Sequence, residues 1–325
     1  MEFKYCKLTP CSPLHLGERE FWREGSSVFI HSDTLFSGIC HCYGLLYGQD
    51  DLKQFVKQVK DEQVLKVSSA FPFWEGDWYF PVPKNQIPES KEAYKIQFIE
   101  HSGFEQLMAG KKLEELLNDQ IKVIPRKEKP YTPWELVNVP RISLNRLSSH
   151  PLEEGGYFHS GRVTYRNSAG FFFLYQTTYE ETEHRFQATM RLLADEGIGG
   201  DRSCGNGLME QPEFGTLNLN FPDSANYELT LSLYFPADQD HEIKNLSDGF
   251  FDLLERKGYI YSPYGQSLRR CSVRMFVEGS VFPATQNRIG SLEDVTPAAF
   301  PEEKHHIFRY GLFFGVPCRE EVSQA

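Results

Sequence analysis

Hydrophobic and polar positions alternate over residues 2–9 (EFKYCKLT), the two-residue period of a strand, before a loop, Ser12-Pro13-Leu14-His15-Leu16-Gly17. The period then becomes helical: Leu35, Phe36, Ile39, Tyr43 and Leu46 recur on one face, and Ser32 or Asp33 is placed to cap the free N–H groups at the start. A short helix is predicted over 51–60 from Leu52, Phe55, Val56 and Val59, and another near 104–118, with Pro72, Pro81, Pro83 and Pro88 in the connections. This stretch, about 50–160, reads as an insertion. Strand character returns over 161–178, where Asn167-Ser168-Ala169-Gly170 is a hairpin turn between β-branched and aromatic runs. Phe186, Met190 and Leu193 mark a second helix that Gly197 terminates, and Leu208 to Leu219 is again a strand.

The order is therefore β-α-β-β-α-β with a large insertion before the second strand, the ferredoxin-like or RNA-recognition-motif arrangement. A chain of 325 residues exceeds one ordinary core. The break falls at Phe221-Pro222-Asp223-Ser224, giving a first domain over 1–222 and a second over 223–325. In the second, Leu229, Leu231, Leu233 and Phe235 alternate with Thr230, Ser232 and Tyr234 as a strand. A helix is predicted over about 248–257, starting at Ser247 or Asp248 and ending at Gly258, followed by strands at 271–278 and 307–316. The fold class is α+β: two fused ferredoxin-like (RRM-like) βαββαβ domains, the first with the insertion and a glycine-rich loop, 197–207, after its second helix.

Composition narrows the function. The chain is 40% hydrophobic and has no low-complexity tract, so it builds packed cores. It has no ~18-residue apolar run and no leader-like N-terminus, and its seven cysteines show no disulfide spacing, which together predict a cytoplasmic protein without a membrane segment. A net charge of −11 requires any nucleic-acid site to be local, because phosphate contacts come from Lys and Arg. Residues 121–170 carry eight basic side chains against four acidic ones. That window is either such a site or an ordinary solvated surface. The acidic remainder suits a basic partner subunit.

Five glycines fall within the eleven residues 197–207, after a helix and before a strand, with Arg202 and Ser203 positioned to donate to a phosphate. Glycine allows left-handed backbone and close approach of a ligand strand. A P-loop or dinucleotide fingerprint opens a helix, whereas this loop closes one, so neither applies. A helix cap with a tight turn accounts for some of the glycines, and ligand binding for the rest. Cys40-His41-Cys42 diverge around a helix at ~100° per step and do not form a zinc site; His305-His306 lack partners at usable spacing. No metal or cofactor is expected.

The loop resembles the glycine-rich signature of the RAMP superfamily of CRISPR-associated RNA-binding proteins. Together with residues 12–17, Ser32-Asp33-Thr34-Leu35-Phe36-Ser37-Gly38, Ala70-Phe71-Pro72-Phe73 and, more weakly, the closing Gly311-Leu312-Phe313-Phe314-Gly315-Val316-Pro317, it is similar to the subunit-four family of the type III-A Csm effector complex. The resemblance implies a non-catalytic subunit that caps the base of the complex, holds the 5′ handle of the CRISPR RNA, and docks the large palm-domain subunit beside the backbone RAMP subunits, meeting target RNA only indirectly. It carries RNA contact to Gly197, Gly199, Gly200, Arg202, Ser203, Gly205 and Gly207. Asp201 stands where the family often has a basic residue, which bears on one phosphate contact.

Further candidate contacts are His15 and Gly17 of the early loop, Ser32 and Asp33 at a helix N-terminus, and Arg141 and Arg146 on a stretch resembling the family's extended hairpin. His15 is open to three readings: an RNA contact, a loop hydrogen bond, or the acid/base of a RAMP-type metal-independent endoribonuclease processing the CRISPR RNA precursor. A protein-docking scaffold with incidental RNA contact is the third functional alternative. Phe171-Phe172-Phe173 alternate across a strand, with at least one ring per face in the core and weak scope for base stacking.

Overall fold

Alternating side chains of β1 (Glu2–Leu8) serve two cores: Phe3 enters one, Cys6 and Leu8 the other. This computed structural model describes residues 1–17, 27–88, 90–145, 147–151, 156–237, 248–262, 268–285, 288–301 and 304–319. After β1 come α1 (Ser32–Tyr47), α2 (Gln49–Glu62), β2 (Leu65–Val67), β3 (Phe71–Trp74) and β4 (Asp77–Pro81). β5 (Phe98–Glu100), α3 (His101–Met108), α4 (Leu113–Asn118) and β6 (Val123–Ile124) follow. β7 (Trp134–Ile142) and β8 (Tyr157–Tyr165) form a long hairpin arm, and β9 (Ala169–Thr177), α5 (Glu180–Glu196) and β10 (Glu213–Asn218) complete this part.

The main sheet has eight strands in the order β10-β1-β9-β3-β4-β5-β6, with β2 also on β9, and its pairings are antiparallel. The strand following the first crossover helix is therefore β2 with β3, at 65–74, and not 161–166 as the periodicity predicts. β8 instead pairs with β7 from Trp134↔Tyr165 to Ile142↔Tyr157. The long insertion thus follows the second strand rather than preceding it. Phe71-Pro72-Phe73-Trp74 is a short, fully buried apolar run interrupted by proline, a pattern without the alternation that identifies a strand.

The sheet is covered on both faces. Phe172 and Leu174 point into a core with Phe71, Phe80 and Phe104, while Phe171, Phe173 and Tyr175 point into one lined by α1, α2 and α5. Phe171, Phe172 and Phe173 are all fully buried and offer no face to a base. Each such ring contributes roughly 1.5–3 kcal/mol of burial. α1 and α5 approach closely because Gly38 has no side chain; a Cβ there would sit 3.0 Å from Leu193. Acidic Glu180, Glu181 and Glu183 in the first turn of α5 complement its dipole.

The C-terminal part differs from expectation. β11 (Tyr227–Thr230) lies between β14 (Val281–Pro283) and β17 (Gly315–Cys318), while β12 (Leu253–Arg256) pairs with β13 (Val273–Phe276) and β15 (Gly290–Asp294) with β16 (Phe308–Leu312). The predicted helix over 248–257 is instead a segment containing β12, registered Leu253↔Phe276 to Arg256↔Val273; Ser247, its alternative start, lies outside the described residues. Among the described residues after 222 there is no α-helix. Phe250, Phe251, Leu253 and Leu254 fit a helical face in sequence, but strand pairing leaves Leu253 exposed and Leu254 half-buried. The two parts share their cores. Leu292, Tyr310 and Leu312 pack with α1 residues, and Leu229, Leu231 and Phe314 pack with Phe3 and Phe71.

Candidate nucleic-acid interface

The glycine-rich segment has a buried base and an exposed tip. At the base, Gly197 N–H donates to Leu193 O at 2.9 Å as α5 ends, and Ile198 N–H donates to Gly207 O at 3.0 Å. The early loop runs alongside: Gly200 N–H donates to His15 O at 2.7 Å, Gly207 N–H to Pro13 O at 2.8 Å, and Leu208 N–H to Ser12 Oγ at 2.8 Å. These contacts require glycine. A Cβ would lie 2.9 Å from Asn206 O at Gly197, 2.6 Å from His15 O at Gly199, 2.8 Å from the His15 ring at Gly200 and 2.1 Å from Ile198 O at Gly207. Four glycines are thus accounted for by the protein's own atoms, backbone at Gly197, Gly199 and Gly207 and the His15 ring at Gly200, more than a helix cap and turn alone would use.

The tip is different. Asp201 (φ 57°) and Gly205 (φ 78°) are left-handed and flank a short 3₁₀ turn over Arg202–Cys204. Ser203, Cys204 and Gly205 are exposed, and a Cβ on Gly205 would meet nothing within 4 Å. Cys204 N–H donates to Asp201 O and Gly205 N–H to Arg202 O, each at 2.9 Å; the N–H groups of Arg202 and Ser203 have no hydrogen bond recorded among the described residues.

Arg141, near the end of β7, reaches this tip. Its guanidinium lies 3.5 Å from the Asp201 carboxylate and 3.9 Å from Cys204 Sγ. Asp201, the departure from the family pattern, therefore brings a cation to the tip from a distant segment. Arg146 lies outside the described residues. Gly17 is exposed and has open space around its Cα.

The remaining predicted residues lie further inside. His15 is half-buried with Nδ1 2.6 Å from Gly161 O, a hydrogen bond between loop and arm. Ser32 and Asp33 do not cap α1, whose N-cap is His31. Ser32 N–H donates to Ser69 Oγ at 2.8 Å, and Ser32 Oγ accepts from Leu233 N–H at 3.0 Å. Asp33 is fully buried, bonded to Arg256 through both oxygens at 2.9 Å and to Arg309 at 2.6 Å. Burial alone would raise its pKa, but Arg256 and Arg309 outweigh this and hold the carboxyl well below the usual range. Both oxygens and the helix end are occupied by the protein itself, so the structure gives neither Ser32 nor Asp33 an outward-facing polar group.

Cation placement within 121–170 is mixed. Lys122 pairs with Asp77 at 2.6 Å, and Arg126 stacks 3.3 Å over Trp74 while meeting Glu75 at 2.9 Å. Lys127 and Lys129 are exposed. Burial pushes the Cys40 and Cys42 thiols up to about 12, which disfavours the thiolates a metal would need. Among the described residues no three His, Cys, Asp or Glu side chains form a metal-ligating group.

One set of residues escaped the sequence reading. Tyr261 lies 4.7 Å from the Arg202 guanidinium and 5.3 Å from His41, and Tyr259 carries Arg269 at 5.6 Å. Burial, then Arg202, lowers the His41 pKa, with Glu196 opposing. The Tyr-Ile-Tyr alternation is the sequence signal for them, masked by the helix-like pattern over 248–257 that directly precedes it.

Comparison with known proteins adds the family context. Residues 223–318 match the model of the CRISPR Csm4 C-terminal domain. A Methanocaldococcus jannaschii protein named CRISPR system Cms protein Csm4 is 24% identical over 334 aligned positions, covering 88% of this chain and 86% of its own. The fold is similar to a Csm3-Csm4 subcomplex of a type III-A CRISPR-Cas interference complex (TM-score 0.64, 20% identity, 97% and 99% of the two chains). It is also similar to a Csm1-Csm4 cassette in complex with cA4 (TM-score 0.61, 20% identity, 98% and 99%).

Proposed function

We propose, from its similarity to the Csm4 proteins of type III CRISPR systems, that the chain is the subunit that caps the base of the complex and holds the 5′ handle of the CRISPR RNA. The handle lies against the exposed tip, 201–205, and Arg141 supplies a cation beside it. The observation that carries this reading is the meeting of Arg141, from the hairpin arm, with Asp201 and Cys204 of the tip. An exposed main-chain turn with two N–H groups available and a guanidinium alongside suits a sugar–phosphate backbone. The buried Gly197 and Gly207 and the half-buried Gly199 and Gly200 keep the tip in place and do not themselves need to touch RNA.

The solved relatives pair a Csm4 chain with Csm1 in one assembly and with Csm3 in another. By analogy this chain docks the large palm-domain subunit on one side and the backbone RAMP subunits on the other, in the cytoplasm. No helix among the described residues is long and apolar enough to cross a membrane. The role is non-catalytic: His15 is engaged with Gly161 O and the Gly200 turn, which suits a framework residue rather than a proton shuttle.

The test is reconstitution of the complex with wild-type, Arg141→Ala or Gly205→Leu chains, followed by measurement of retained CRISPR RNA. Loss of handle protection in both variants is expected; full retention in both would sink the assignment. Incubating the isolated chain with labelled repeat RNA without metal addresses the nuclease alternative. Cleavage abolished by His15→Ala would establish that reading instead.

A further inference from the structure

Beside the tip lies a strip of aromatic rings. Tyr259 and Tyr261 are two apart on an extended segment, held by hydrogen bonds from Ile260 N–H to Leu268 O at 2.8 Å and from Arg270 N–H to Gly258 O at 2.9 Å. Residues so spaced on a strand share a face ~6.6 Å apart. Ile260 between them is buried, whereas Tyr259 is 53% and Tyr261 69% exposed. The segment thus anchors itself through its middle residue and shows both rings to solvent.

Each ring carries a guanidinium. Arg202 of the tip lies 4.7 Å from the Tyr261 centroid, and Arg269 lies 5.6 Å from that of Tyr259, with its NH2 3.5 Å from the hydroxyl. Tyr261 is therefore joined to the glycine-rich tip through Arg202, while Arg141 meets the same tip at Asp201. Exposed rings interleaved with cations provide the two things an unpaired nucleotide uses: a π face for the base and positive charge for the phosphate.

We propose that Tyr259 and Tyr261 form a stacking platform for unpaired RNA nucleotides continuing past the loop tip, with Arg202 and Arg269 facing their phosphates. The inference rests on the reading of the tip as an RNA site and extends it across the C-terminal part. Stacking tolerates any base, so the platform holds the strand without reading its sequence.

The experiment measures retention of a single-stranded repeat-sequence RNA, carrying photoreactive thiouridine, by the reconstituted complex. Tyr259→Ala with Tyr261→Ala weakens retention about thirtyfold, the low end of base–aromatic stacking for two rings, while Tyr259→Phe with Tyr261→Phe stays near wild type. Crosslinks appear at 259–261. Unchanged retention in the double alanine variant, with Arg141→Ala or Gly205→Leu still defective, overturns the platform and leaves the tip assignment standing; if Arg141→Ala and Gly205→Leu are also neutral, both fail. Crosslinking of 259–261 to another subunit instead of RNA also overturns it. Because both rings are exposed, an unchanged melting temperature verifies that the variants are folded.

Discussion

Arg256 holds Asp33 through two hydrogen bonds of 2.9 Å, tying β12 to the first turn of α1. Arg309 shares the same carboxylate, and Arg270 lies near enough to feel it. One buried acid thus organises three guanidinium groups. Asp33→Asn removes the charge that compensates them and is expected to cost about 3–5 kcal/mol, the usual penalty for breaking a buried pair. Denaturant unfolding of the purified chain measures this. A loss below about 1 kcal/mol would show that the cluster is peripheral to stability.

Acid sensitivity follows from the same region. Glu278 is buried, which by itself raises its pKa, but His31 at 2.8 Å and the Ser69 hydroxyl lower it overall. Asp33 is also lowered. Carboxyls depressed in the folded state add stability that is fully present above their unfolded pKa of about 4. It is lost as pH falls from there through the folded values. Melting temperature should therefore drop steeply below about pH 4, and Glu278→Gln should give a shallower acid limb. An identical limb in the variant would exclude Glu278 as a contributor.

The base and tip of the glycine-rich segment should respond unequally to substitution. Gly207→Ala places a Cβ against Ile198 O at a left-handed φ of 79°, whereas Gly205→Ala meets open space at φ 78°. The second change costs only the left-handed penalty, about 1–2 kcal/mol, and the first costs more because backbone must move. Thermal melts of the two variants provide the comparison; equal destabilisation would contradict the division into base and tip.

Salt dependence isolates the phosphate contact assigned to Arg141. For single strands each neutralised phosphate contributes about 0.7 to the slope of log K against log salt. Arg141→Ala should flatten that slope by about this amount when RNA retention is titrated with salt. An unchanged slope would place Arg141 off the phosphate backbone.

Much of the first part was legible because its signals were local. The strand at 2–9, the helical faces of α1 and α5, and Gly197 at the helix end all lie within a few residues of what they specify. Strand pairing is not local: β8 alternates well enough to be read as the partner of β9, and nothing in its own residues reveals that Trp134–Ile142 claims it first. The same limit explains Asp33, whose local pattern is that of a helix cap. Its partners Arg256 and Arg309 lie 223 and 276 residues away in sequence. At the glycine-rich segment the residue types were visible, but whether each glycine admits a ligand or the chain's own backbone depends on the early loop packed beside it.

The cores common to both parts bear on how the molecule can be divided. Tyr310 Oη accepts the Val67 N–H at 2.8 Å, and Phe314 and Val316 lie in the core that also holds Phe3. A fragment cut at 222 would present raw apolar surface on each side of the cut. Truncations aimed at separating RNA attachment from subunit contact are therefore expected to yield aggregates, and point substitutions are the instrument that leaves the molecule whole.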